Sequence, residues 1–150
     1  MTAAARGGDV RRSALQAQTA SAIEMLIMVP MRISNLVKLD VERNLVRPGR
    51  AGTMHIVIAA EVTKNRHQLD RALPEKSAAL IEHYLQKFRP CLASSLSTVL
   101  FPGGHGLAKG SDNLGRQISC TIHSHTGMRI PTHLLRYVAV ILFISAMRSS

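Results

Sequence analysis

The sequence has 150 residues, with 19 Lys and Arg against 9 Asp and Glu, a formal net charge of +10 and 46% hydrophobic residues. That length and apolar content fit one globular domain and exclude a disordered chain, while the charge calls for a polyanionic partner. Aromatics are only 3%, with no Trp, which argues against a stacking platform for bases; 14 of the basic residues are Arg, whose planar fork suits phosphate, so a phosphate-dominated grip on duplex DNA fits best.

Along the chain, residues 1–12 with Arg6, Arg11 and Arg12 read as a loose basic arm, and 13–150 as the domain proper. A helical pattern runs from Ser13 to Val29, and Ser21-Ala22-Ile23-Glu24 fits a capping box able to restart a helix. Pro30 interrupts it, and Arg32–Leu39 reads as a short second helix. Gly49 and Gly52 mark a turn before Met54–Ala60, which is rich in Ile and Val as a strand should be. Lys64-Asn65-Arg66-His67 forms a polar hairpin tip, and Gln68–Leu73 returns as the partner strand. Pro74 suits the first turn of a helix on which Ile81, Tyr84, Leu85 and Phe88 make an apolar stripe. Residues 89–110 read as a long loop containing Phe101-Pro102-Gly103-Gly104. Ser111 is placed to cap a helix that Gly127 stops, and Thr132 to cap a last helix over His133–Ala146. The expected fold is mainly α with a small antiparallel β-sheet.

Cys91 and Cys120 are far apart in sequence and read as reduced intracellular thiols. The most apolar stretches, 22–31 and 137–147, are too short to cross a bilayer core of ~30 Å, and no signal peptide follows the N-terminal arginines. A soluble, cytoplasmic protein without membrane association is expected.

Four residues together suit attack on a phosphodiester. Arg32 opens a helix, Lys64 sits at a hairpin tip, and His133 and Arg136 are three apart at a helix start and share one face. Taken singly, Arg32 is a helix-start arginine beside a surface acid, Lys64 a solvated turn lysine and His133 a helix cap; the joint pattern favours a phosphate site. Cys120, His123, His125 and His133 fit no standard zinc spacing, so no metal is expected. Gly103–Gly110 lacks the Gly-Lys-Ser/Thr ending of a nucleotide phosphate loop, and no cofactor is expected. Arg43, Arg47 and Arg50 are either a solvated charge run or a DNA-facing edge.

The order Arg32, hairpin Lys64, then His133-Leu134-Leu135-Arg136 resembles the tyrosine recombinase (phage integrase) family. Supporting stretches are Met31–Asp40, Thr63–Pro74, Leu100-Phe101-Pro102 and His125–Ile130, so that the likeness runs from about Ala20 to Ala146. It implies a catalytic-domain fold, incomplete at the C-terminus, acting in site-specific DNA recombination and integration by transesterification. Arg32 and Arg136 would hold the scissile phosphate, Lys64 would protonate the leaving 5′ oxygen, and His133 would assist proton transfer. Such chemistry needs neither metal nor nucleotide.

The departures bear on activity. The family's nucleophilic tyrosine lies well beyond the HxxR helix, whereas the tyrosines here are Tyr84, on the apolar stripe, and Tyr137, directed off the Arg136 face. Pro30 stands where the family usually has Gly, Asn35 where it has an acid, and Pro131-Thr132 reverses the usual order. A truncated copy, lacking also the N-terminal clamping domain, is expected to bind double-stranded DNA and to be inactive alone. The alternative is a non-catalytic DNA-binding remnant; a basic RNA-binding protein fits less well because stacking residues are so few. An apolar last helix left uncovered at Val138, Ile141, Leu142 or Ile144 would favour self-association or recombinase partner subunits.

Overall fold

The computed structural model describes residues 3–49, 51–104 and 107–149. Helix α1 (Ala3–Met28) is the spine, against which α4 (Glu75–His83), α5 (Ser111–Thr126) and α6 (Thr132–Arg148) all pack. Its inward face carries Ala14, Gln18, Ala22, Met25 and Leu26, at the three- and four-residue spacing that keeps side chains on one side of a helix. Residues 3–12 extend this helix instead of forming a loose arm, and Arg6 to Ser13 are exposed. Alanines and arginines favour helix strongly enough for propagation from a formed helix to pass Gly7 and Gly8. Nor does a helix restart at Ser21. Its hydroxyl is buried without a partner among the described residues, and Glu24 accepts a hydrogen bond from Ser77 on α4 at 2.5 Å.

The Arg32–Leu39 helix is shorter than expected. It is the single turn α2 (Ile33–Leu36), followed by α3 (Val41–Asn44), whose N-terminal amides at Glu42 and Arg43 donate to the Asp40 carboxylate. The sheet is antiparallel in the order β1 (Leu45–Val46), β2 (His55–Ile58), β3 (Leu69–Ala72), with Leu45 opposite Ile56 and Ile58 opposite Leu69. Alternation along β2 buries Ile56 and Ile58 against the helices. Strand β1 was not expected, because two residues carry no period-2 signal.

Helix α4 places Ile81 in the core and widens into a π-helical turn at Tyr84–Phe88, then tightens into a 3-10 turn at Arg89–Cys91, where Pro90 cannot donate to a continuing ladder. The following loop is tied down at several points. The Arg89 guanidinium donates to the carbonyls of Ser97 and Val99 at 2.7 and 2.6 Å, and Thr98 donates to Asp40 at 2.5 Å. Leu100 and Phe101 are thereby fixed in the core. Lys109 donates to Gln18 and Gln117, joining the loop to α1 and α5; burial lowers its pKa, with the Arg11 charge adding to the effect. Gly127 ends α5 at φ +72 with its amide on the His123 carbonyl, the left-handed stop that its glycine makes inexpensive. Neither Ser111 nor Thr132 caps. Each is the first helical residue after an extended Gly110 or Pro131. Among the described residues, no helix is long and apolar enough to cross a membrane.

Among the described side chains of α6, only Leu135 reaches the core; Val138, Ile141 and Ile144 are exposed, as are Val140 and Met147, while the Leu142 side chain lies outside the described residues.

Candidate functional site

Three departures from regular structure aim the candidate residues at one place. The chain leaves α1 at Pro30, and Arg32 follows in extended conformation as the residue before α2, its carbonyl accepting from the Asn35 and Leu36 amides while its side chain faces solvent. Residues 59–68 join β2 to β3 as a succession of turns with Lys64 exposed near the tip. Beyond Gly127 the chain reverses into α6, whose second residue is His133 and whose half-buried Arg136 lies one turn further on.

Arg32, Lys64 and Arg136 line a cleft of about 460 Å³ between α2, the β2–β3 hairpin and α6. A second cleft of about 360 Å³ is lined by Arg32, Thr132, His133 and Arg136. Met31, Arg32 and Arg136 border both, so the four candidates surround adjoining depressions. Gly115 on α5 lies beside both helix starts. A Cβ there would lie 3.4 Å from Ile33 Cδ1 and 3.8 Å from Thr132 Oγ1, beside Arg32 and His133 respectively.

The electrostatics follow from what these cations lack. Among the described residues, Arg32 and Lys64 make no side-chain hydrogen bond or ion pair, and the Arg136 guanidinium meets the Tyr137 ring, 5.9 Å from its centroid. The acid that lines the larger cleft, Asp70, is taken up by His55 at 2.7 Å. Arg71 adds a further cation to that cleft. Sequence reading missed it, because alternation with Leu69 and Leu73 assigns it to the core face. Asn35 also lines the cleft, and as a neutral amide it subtracts nothing from the positive potential. Of Arg43, Arg47 and Arg50, read as either a solvated charge run or a DNA-facing edge, Arg47 is paired with Glu82, Arg43 is exposed, and Arg50 lies outside the described residues.

Neither tyrosine lines these clefts. Tyr84 is 1% exposed, stacks on Phe101 and donates its hydroxyl to the Leu100 carbonyl at 2.9 Å; burial pushes its pKa up to about 12. Tyr137 is exposed and lines neither cleft.

No family model matches this sequence, and no curated protein does. Solved structures do. The XerH site-specific recombinase bound to palindromic difH substrate in a post-cleavage complex superposes with a TM-score of 0.70 at 18% identity, over 99% of this chain and 37% of that one. XerH bound to difH in a pre-cleavage complex gives 0.69 at 18%, over 97% and 38%. The XerA recombinase gives 0.58 at 12%, over 91% and 48%. The chain thus has a tyrosine-recombinase-like fold, mainly helical with a small antiparallel sheet, and spans less than half the length of these structures.

Proposed function

We propose that the two clefts are a phosphate-binding site for double-stranded DNA, and that the chain acts in site-specific recombination and integration. The observation that carries this reading is the set of cations without acidic partners among the described residues: Arg32, Lys64 and Arg136 border one cleft, in a chain of net charge +10. Leaving such groups unneutralised costs little beside water and favours an incoming anion, on which Arg forks form short charge-assisted bonds. Arg32 and Arg136 hold the non-bridging oxygens of one phosphate, Lys64 protonates the departing 5′ oxygen, and His133 serves proton transfer from the second cleft. A tyrosine oxygen attacking phosphorus would complete the exchange, leaving a phosphotyrosine bond and a free 5′ hydroxyl, but neither Tyr84 nor Tyr137 is placed to supply it, so the chain alone is inactive. Similarity to recombinases captured with difH DNA supports the choice of duplex DNA over other polyanions.

A second reading rests on the tyrosines. With Tyr84 buried and Tyr137 outside both clefts, these residues bind DNA without cutting it, and catalysis needs a nucleophile from elsewhere, such as a recombinase partner subunit. A soluble, cytoplasmic setting fits either reading. Titration of a fluorescent duplex tests DNA binding. Affinity is expected to fall by orders of magnitude between about 50 and 200 mM salt, as for any grip resting on several phosphates. Absent or salt-independent binding removes the proposal.

A further inference from the structure

The structure assigns to Thr63 the role of a clasp that sets the position of Lys64 in the DNA cleft. This rests on the reading of that cleft as a DNA site and adds a residue to it.

The loop carrying Lys64 is long for a hairpin, and nothing in its composition imposes one shape. Its turns are nevertheless defined: the Val62 amide donates to Ala59, the Thr63 amide to Ala60, and the Arg66 amide to the Thr63 carbonyl, at 3.1, 3.3 and 3.1 Å. The Thr63 hydroxyl lies 3.0 Å from the Ala60 carbonyl on the outgoing limb and 2.8 Å from the His67 carbonyl on the returning limb. Its one proton bonds either carbonyl or is shared between them, so the side chain stands across the neck of the loop. Thr63 is half-buried, while Lys64, Asn65, Arg66 and His67 are exposed. Arg66 holds φ +52, a left-handed conformation that a non-glycine residue keeps only where its surroundings impose it. Thr63 and Lys64 both line the cleft shared with Arg32 and Arg136, so the clasp lies next to the cation it places.

Unclasped, a loop of this length samples many conformations, and Lys64 reaches the phosphate only in some of them. Thr63→Val keeps the branched shape and deletes the hydroxyl; Thr63→Ser restores the hydroxyl. Duplex affinity is measured for both, for Lys64→Ala and for the Thr63→Val/Lys64→Ala double variant, with thermal unfolding of each. We expect Thr63→Val and Lys64→Ala each to weaken binding about three- to tenfold and to lower the salt slope by about one, and Thr63→Ser to stay within about twofold of wild type. In the Lys64→Ala background, Thr63→Val should change affinity less than about twofold, because it acts through Lys64. Equal losses in both backgrounds, or no loss from Thr63→Val, overturn the clasp while leaving the DNA site standing. No loss from Lys64→Ala overturns both the DNA role of Lys64 and the clasp. Should Thr63→Val not fold, Thr63→Ala takes its place in the same cycle.

Discussion

Arg32 and Arg136 border the same two clefts, one as the residue before α2 and the other one turn into α6. Both helices rest on α5, and neither arginine is held by an acid among the described residues. The pair is therefore set by packing rather than by charge, and its positive potential is left for a ligand.

Gly115 is the seat of that packing. A Cβ there meets Ile33 at ordinary van der Waals distance, so Gly115→Ala should leave DNA affinity within about twofold while gaining helix propensity. Gly115→Leu forces α2 and α6 apart and should weaken binding at least about tenfold, since overpacking displaces both arginines. Paired titrations of these variants check it.

Tyr84 is a core residue and lines neither cleft. Tyr84→Phe leaves the Leu100 carbonyl without its donor and should cost about 1 to 2 kcal/mol in urea unfolding, with DNA affinity unchanged. Incubation of the wild-type chain with a suicide DNA substrate should yield no covalent protein–DNA band on a denaturing gel. A band lost in Tyr137→Phe would identify that residue as the nucleophile instead.

Much of this organisation was legible in local signals. Gly127 as a helix stop, the β2–β3 hairpin with Lys64 near its tip, and Tyr84 on an apolar stripe each follow from a few neighbouring residues. What was not legible depends on distant partners. The loop after Cys91 is held by Arg89, Thr98 and Asp40, and β1 exists only because β2 lies beside it. Ser21-Ala22-Ile23-Glu24 carries the letters of a capping box, yet Glu24 bonds Ser77 on another helix. Arg32, Lys64, His133 and Arg136, singled out by their order in the sequence, line adjoining clefts, whereas Arg71 and Gly115 emerge only from the packing.

Asp40 links acid sensitivity to the fold. The Thr98 hydroxyl, opposed by partial desolvation and aided by the Arg43 and Glu42 amides, holds its carboxyl below the usual 3.8. A carboxylate depressed in the folded state contributes stability above its unfolded pKa, and that contribution is lost as pH falls through the folded value. The chain should therefore lose stability as pH drops below about 4. Asp40→Asn should flatten that loss in urea titrations from pH 5 to 2.5, at the expense of a smaller, pH-independent destabilisation.

The exposed apolar face of α6 should make the chain prone to associate. Ile141 and Met147 are 62% and 65% exposed, and Val140 and Ile144 are 46% and 45% exposed. Contiguous apolar surface of this kind favours contact with another chain. Sedimentation velocity should show mass rising with concentration, and Ile141→Glu with Ile144→Glu should shift the distribution toward monomer. A wild-type chain that stays monomeric at high concentration would oppose this.

The proposed grip of Arg32 and Arg136 on one phosphate is tested by duplex affinity across a salt series for Arg32→Ala, Arg136→Ala and the double variant. If they share a phosphate, each single variant loses about tenfold or more, and the double variant is little weaker than the poorer single one, with the salt slope reduced by about one in total. Single variants that bind like wild type, or losses that add fully with two units of slope removed, would contradict it.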